Sequence, residues 1–399
     1  MFKCEKRFLQ FVESNIYSFV FLLFTILGAI VRYSTREFES GDMLTFLLGW
    51  YDQSQSMSAR DSLSTQIGNY NVLYQFLIYV MTLLPGKALY KYKILSITFD
   101  YLLALLAGYS VYSFSNNQKF KNAILAYSVV LMCPTVWLNS SAWGQCDSIY
   151  TFWGVLALLL LCKQKYVPSF VCLGLSFSFK LQACFILPIY IVYYLCKKKF
   201  SILYFAILPI TMIVVNIPSI IMGRNILSIF SVYVEQTRTY YTMHLNFPSF
   251  WSIFSTAGET AYNVLGISAV CITIFLLVLT CIYMIKRNVI SNSKSIVSSA
   301  IVLGLIAVYF LPCMHERYAF YIEVVALLYT FVDRRTIPLA IALELIILPY
   351  YGHFLFDYEI KNQSFLSLIY FVVLILYMIL LVKDTYLSQN DSESFNKEI

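Results

Sequence analysis

Three short polar strings interrupt an otherwise apolar chain, and each holds side chains able to move a proton or hold an anion. Asp42 ends the run Ser40-Gly41-Asp42. A turn there would hold a carboxylate at the membrane surface, although Ser-Gly-Asp reads equally well as a helix start. The stretch from Asn139 to Ser148 brings Trp143, Gly144, Gln145 and Asp147 together. Its plain reading is an interfacial indole anchor followed by a capping acid. His315-Glu316-Arg317 sets three ionisable side chains in succession between apolar runs. Such groups are costly at a membrane boundary without partners. A histidine and a guanidinium suit a phosphate, and Glu323, seven residues after Glu316, could hold that cation from the same helical face. A headgroup-level salt bridge is the competing account.

Other residues are less specific. Lys180, in Phe179-Lys180-Leu181-Gln182, either snorkels or reaches a site. Asp100 lies inside an apolar run and should face the protein interior. The segment 223–263 mixes Arg224, Arg238 and His244 with Tyr233, Tyr240, Tyr241, Phe247 and Trp251, which fits sugar and phosphate binding or an aromatic belt. Glu37 and Glu39 form no compact D-x-D metal pair. The ten cysteines include no C-x-x-C pair and read as small hydrophobes.

The elements that must position these groups follow from composition. Of 399 residues, 60% are hydrophobic and 12% charged, against about 45–50% and about 25% in soluble domains. That excludes a soluble enzyme, a nucleic-acid reader and a disordered scaffold. An all-α multi-pass membrane protein of one domain, 1–399, is expected. Lys3, Lys6 and Arg7 precede the first apolar run without a cleavage pattern, so a retained first span is expected. The run 71–84 is short for a crossing. If it lies on the surface and the N-terminus is cytoplasmic, 17 of the 28 basic residues fall inside; if it crosses, 11 do. The positive-inside rule then predicts about 12 spans (11–13), both termini cytoplasmic, a first outer loop at 32–92 carrying an interfacial helix, and a polar cytoplasmic tail at 387–399. All three histidines and the acids Asp42, Asp147 and Glu316 fall on the outer side.

In order along the chain, these features resemble the GT-C superfamily of integral-membrane glycosyltransferases, and within it the bacterial GPI-mannosyltransferase-like proteins. The likeness covers nearly the whole chain. It rests on the first-loop acid Asp42, W-G-Q-x-D-S from Trp143 to Ser148, the L-x-K-P-Q-like Phe179 to Gln182, Asn246 to Trp251 as N-x-x-x-x-W, and H-E-R-Y from His315 to Tyr318. Leu181 stands where relatives often have Pro.

The resemblance implies a GT-C-type fold in the cell membrane and an inverting transferase. It would move one sugar from a polyprenyl-monophosphate donor to a glycan or lipid-linked acceptor at the outer face, with membrane lipid around it and no nucleic-acid partner. It implies Asp42 as general base. His315, Arg317, Lys180 and Arg238 would hold the donor phosphate. Asp147, Gln145, Trp143, Glu316, Asn246 and Trp251 would hold sugar or acceptor. No cofactor is expected, and a divalent metal is not favoured. A lipid-linked-saccharide flippase and a polysaccharide polymerase or ligase are the alternatives.

Overall fold

Long apolar runs in a medium without water must satisfy their own backbone groups, and helices do so within one segment. The computed structural model describes residues 2–115, 117–254 and 259–397; positions 398 and 399 of the expected tail lie outside them. Every regular element among the described residues is helical.

The chain opens with α1 (Lys3–Ser34), then a π-helical turn (Met43–Leu47) running into α2 (Leu48–Ser56), α3 (Ala59–Ser64) and α4 (Val72–Thr82). Next come α5 (Ala88–Phe114), α6 (Lys119–Met132) and α7 (Pro134–Trp137), the last passing into a second π-helical turn (Leu138–Trp143). A tight group follows, α8 (Asp147–Cys162), α9 (Tyr166–Phe179), α10 (Leu187–Lys197), α11 (Ile207–Val215), α12 (Ile217–Ile221) and α13 (Ser228–Gln236). The chain ends with α14 (Glu259–Lys286), α15 (Ser293–Phe310), α16 (Phe320–Tyr329), α17 (Ile337–Phe356) and α18 (Gln363–Lys397).

Six of these helices are long and apolar enough to cross a membrane: α1, α5, α14, α15, α17 with its leading turn, and Gln363–Leu387 of α18. A seventh is bent by 50° between Lys119–Met132 and Pro134–Trp143, where Pro134 lacks the N–H that would continue the ladder. The other expected spans form shorter apolar helices, among them α8 with 16 residues and α9 with 14. At 1.5 Å per residue these reach about 21–24 Å.

Close crossings use small residues. A Cβ on Gly108 of α5 would sit 2.9 Å from the Ala123 carbonyl of α6, and one on Gly174 of α9 would sit 2.7 Å from Thr211 Cβ of α11.

Two buried lysines decide how the first connecting segment sits. Lys93 Nζ, near the start of α5, donates to Thr35 O at 2.8 Å and Phe38 O at 2.6 Å, just beyond the end of α1. Lys91 Nζ donates to Tyr51 OH at 2.6 Å and Leu84 O at 2.5 Å. The two ends of the segment between α1 and α5 are therefore fastened together, with α4, about 17 Å long, between them. Lys91 and Lys93 act as fasteners here rather than as free surface charges. Arg32, expected at the edge of that loop, instead lies buried within α1, paired with Asp100.

The opposite end is tied by Lys294, Asp333, Arg335 and Asp384. Lys294 Nζ reaches Asp333 at 3.0 Å and Asp384 at 2.8 Å, while Arg335 bridges the same acids at 2.5 and 2.7 Å. Hydrogen bonding from Arg335 holds the Asp333 carboxyl well below the usual carboxylate range. A carboxyl lowered in the folded state stabilises it above the unfolded pKa, and this is lost as pH falls toward the folded value. Wild type should therefore melt above Asp333→Asn at neutral pH, with the gap closing below about pH 4. Thermal unfolding in detergent across that range checks it, and a gap that widens on acidification would refute the assignment.

Candidate active site

At the other end of the bundle lies a cavity of about 610 Å³, whose charged lining residues are Asp42, Lys180 and Arg317. They come from the first connecting segment, the α9–α10 junction and the α15–α16 junction. Only folding brings them together.

Asp42 stands at the head of the first π-helical turn without capping it, so its carboxylate is free for other partners. Ser40 Oγ does the local work, accepting from Met43 N at 3.2 Å and donating to Trp143 O at 2.9 Å. Met43 is buried and plugs the turn into the core. Its Cε occupies the space a Cβ on Gly144 would need, and Gly144 has φ +78°. The glycine of the Trp-Gly-Gln string is thus favoured by its left-handed backbone.

Among the described residues, one oxygen of Asp42 accepts all of its hydrogen bonds. Oδ2 accepts from Trp143 Nε1 at 2.9 Å, Gln145 Nε2 at 2.9 Å and Arg317 at 3.3 Å. Among the described residues nothing donates to Oδ1. The donors are themselves fixed. The Trp143 ring stacks on Phe354 at 4.3 Å and meets Tyr351 edge-on. Gln145 Oε1 accepts from Arg317 at 2.9 Å and from Tyr70 OH at 2.6 Å. Burial pushes the Tyr70 phenol up, so it remains a donor.

Neither family models nor curated proteins match this chain. What the site can do must therefore be read from its own geometry.

Lys180 does not snorkel. It is buried, and its Nζ donates to Asp147 Oδ1, with the rings of Tyr150 and Tyr318 at 5.8 and 6.0 Å. Asp147 does not line the cavity; its other oxygen accepts from Asn139 at 2.9 Å. His315 is buried between Tyr240 and Tyr318, with neither ring nitrogen hydrogen-bonded. Its Nδ1 lies 3.8 Å from Glu316. Glu316 accepts from Asn246 at 2.7 Å, and Asn246 also donates to Tyr350 O at 2.8 Å. Trp251 Nε1 donates to Phe310 O at 2.7 Å. His315 does not line the cavity and lies behind Tyr240 and Tyr318, which do, and Glu316, Asn246 and Trp251 brace the wall around it. Arg238 is exposed, and Thr237 and Thr239 on either side of it line the cavity instead.

Glu323 does not hold Arg317. Both of its carboxylate oxygens are buried without a hydrogen-bond partner, and its charged neighbours are Glu344 and Asp147. The seven-residue spacing fails because Glu316–Ala319 is a 3-10 turn, so the helical face assumed for Glu316 does not continue into α16.

Tyr240, one of the aromatics expected to bind sugar or phosphate, lines the cavity, and so do Tyr70 and Trp50, which the sequence did not single out. Among the described residues, no three His, Cys, Asp or Glu side chains converge as metal ligands would.

Proposed function

We propose that this protein is an inverting glycosyltransferase of GT-C type, taking a sugar from a polyprenyl-monophosphate donor. The single observation that carries this reading is the one-sided loading of Asp42. Three donors hold Oδ2, and Oδ1 is left for a proton on a cavity that also presents Lys180 and Arg317. The acceptor hydroxyl oxygen attacks the anomeric carbon as its proton passes to Asp42 Oδ1. The bond from that carbon to the phosphate oxygen breaks on the opposite side, and the polyprenyl phosphate leaves with the electron pair. Lys180 and Arg317, with His315 behind them, offset the charge that develops on it. The phosphate is already a competent leaving group, so the chemistry asks mainly for positioning and charge.

The charge count favours a monophosphate-linked donor over the pyrophosphate of a ligase. Each cation lining the cavity already faces a carboxylate, Lys180 with Asp147 and Arg317 with Asp42. Such a site suits the single charge of a phosphodiester. The apolar wall formed by Leu181, Phe185, Val270 and Leu311 suits the start of a prenyl chain. In the full reading the shorter apolar helices complete about twelve spans, both termini are cytoplasmic, and the site faces outward, where lipid-linked donors are the available sugar source. The three charged groups that line the cavity gather at one end of the bundle, whereas a flippase places its own near the midplane.

Purified protein incubated with a radiolabelled polyprenyl-phosphate sugar and candidate glycans tests the reading. Transfer of one sugar supports it; block transfer identifies a ligase, and movement without transfer a flippase. Arg317→Lys should keep the charge but lose the span from Asp42 to Gln145. Its kcat should fall about 10²–10³-fold with the protein still folded, and steady-state rates would show this. An unchanged kcat would remove Arg317 from the mechanism.

A further inference from the structure

The cavity has a third region that the chemistry above does not use. Beyond the charged centre and the apolar wall, the first connecting segment supplies Phe46, Trp50, Asn69 and Tyr70, and the end of α13 supplies Gln236 and Thr237. No charged side chain lines this part. The rings of Phe46 and Trp50 lie 5.9 Å apart, and those of Trp50 and Tyr70 lie 5.2 Å apart. Trp50 rests on Gly68, whose φ is +66° and where a Cβ would overlap the indole. The glycine therefore sets the depth of the indole. Gln236 Nε2 donates to Asn69 O at 2.7 Å and Asn71 Oδ1 at 2.7 Å, locking the rim. Among the described residues, Trp50 Nε1 and the Asn69 side-chain amide donate to no other group.

This end is joined directly to the base. Trp50 packs on Tyr70, Tyr70 OH donates to Gln145, and Gln145 donates to Asp42. The rings of Phe46, Trp50 and Tyr70 thus border the same cavity as the base, linked through Gln145 to Asp42 Oδ2. Apolar ring faces with uncharged amide and indole donors around them match a pyranose, which has apolar C–H faces and a rim of hydroxyls.

We infer that Phe46, Trp50, Asn69 and Tyr70 form a subsite for a neutral pyranose one or more units away from the reacting hydroxyl. The acceptor is accordingly an extended glycan. This rests on the transferase reading for its role, though not for its binding.

Calorimetry on the wild-type protein in nanodiscs, with manno-, gluco- and galacto-configured trisaccharides and the matching monosaccharides, tests the inference. At least one trisaccharide should bind more tightly than its monosaccharide. Trp50→Ala should weaken it about tenfold, with Trp50→Phe, which keeps a ring, retaining most of the affinity. Binding without turnover in the wild type would sink the transferase reading and keep the subsite. Transfer that treats mono- and trisaccharides alike, and is indifferent to Trp50→Ala, would sink the subsite and keep the transferase. Failure of every trisaccharide to bind the wild type overturns the inference.

Discussion

Asp42→Asn should all but abolish transfer while leaving the fold and donor binding in place. Three donors converge on Oδ2, so an asparagine can satisfy them only by turning its carbonyl oxygen into that position. Its NH2 group must then occupy the place of Oδ1. The substitution therefore keeps every hydrogen bond the protein makes to this side chain, gives up the opposite charge facing Arg317, and inverts the one position left open, from acceptor to donor. A hydroxyl placed there would meet a hydrogen instead of a lone pair. Loss of a positioned general base costs about 10²–10⁴-fold, and initial rates should fall by that much. Binding of a polyprenyl-phosphate sugar, measured separately, should be no weaker, because Arg317 no longer faces the charge that opposes the donor phosphate, and the protein should still fold. An Asp42→Asn enzyme within a few-fold of wild type would show that proton transfer lies elsewhere.

The residues of this site were legible to very different degrees. Asp42, Gln145, Lys180 and Arg317 could be singled out because polar and ionisable groups bordering apolar runs must find partners or a function, and they do meet at one cavity. Tyr70 and Trp50 could not. Aromatic residues make up 18% of the chain, so one more carries no signal, and the bond from Tyr70 to Gln145 spans 75 positions. The expected start of the first outer loop, at 32, falls inside the last turn of α1 for a related reason. A charge near the end of an apolar run looks like the start of a loop, but α1 continues past it because Asp100 receives the guanidinium. Composition reveals the membrane and the helices. It does not reveal that Pro134 bends one apolar run, or that several others form helices shorter than the bilayer core.

The Arg32–Asp100 pair supports the second large effect, which concerns stability. Arg32 Nε meets Asp100 Oδ2 at 2.8 Å with both side chains almost fully buried. The rest of the guanidinium donates to Gly28 O at 3.2 Å and Leu131 O at 3.0 Å. Asp100 in turn accepts from Ser140 and Ser148, at the two ends of the segment that carries Trp143, Gln145 and Asp147. Asp100→Ala strands a guanidinium in a buried setting and removes both serine tethers. Breaking such a pair costs about 3–5 kcal/mol, a large part of the roughly 5–15 kcal/mol that holds a domain folded. The variant should accumulate poorly and melt far below wild type. The double variant Arg32→Met/Asp100→Leu separates the two roles of the pair. It has no stranded charge, so its melting temperature should recover most of the loss, since apolar replacements of buried pairs are often neutral or better. Its segment 139–148 still lacks the serine tethers, so transfer should stay reduced even in the refolded protein. Recovery of stability together with full activity would show that the pair holds the helices and nothing more.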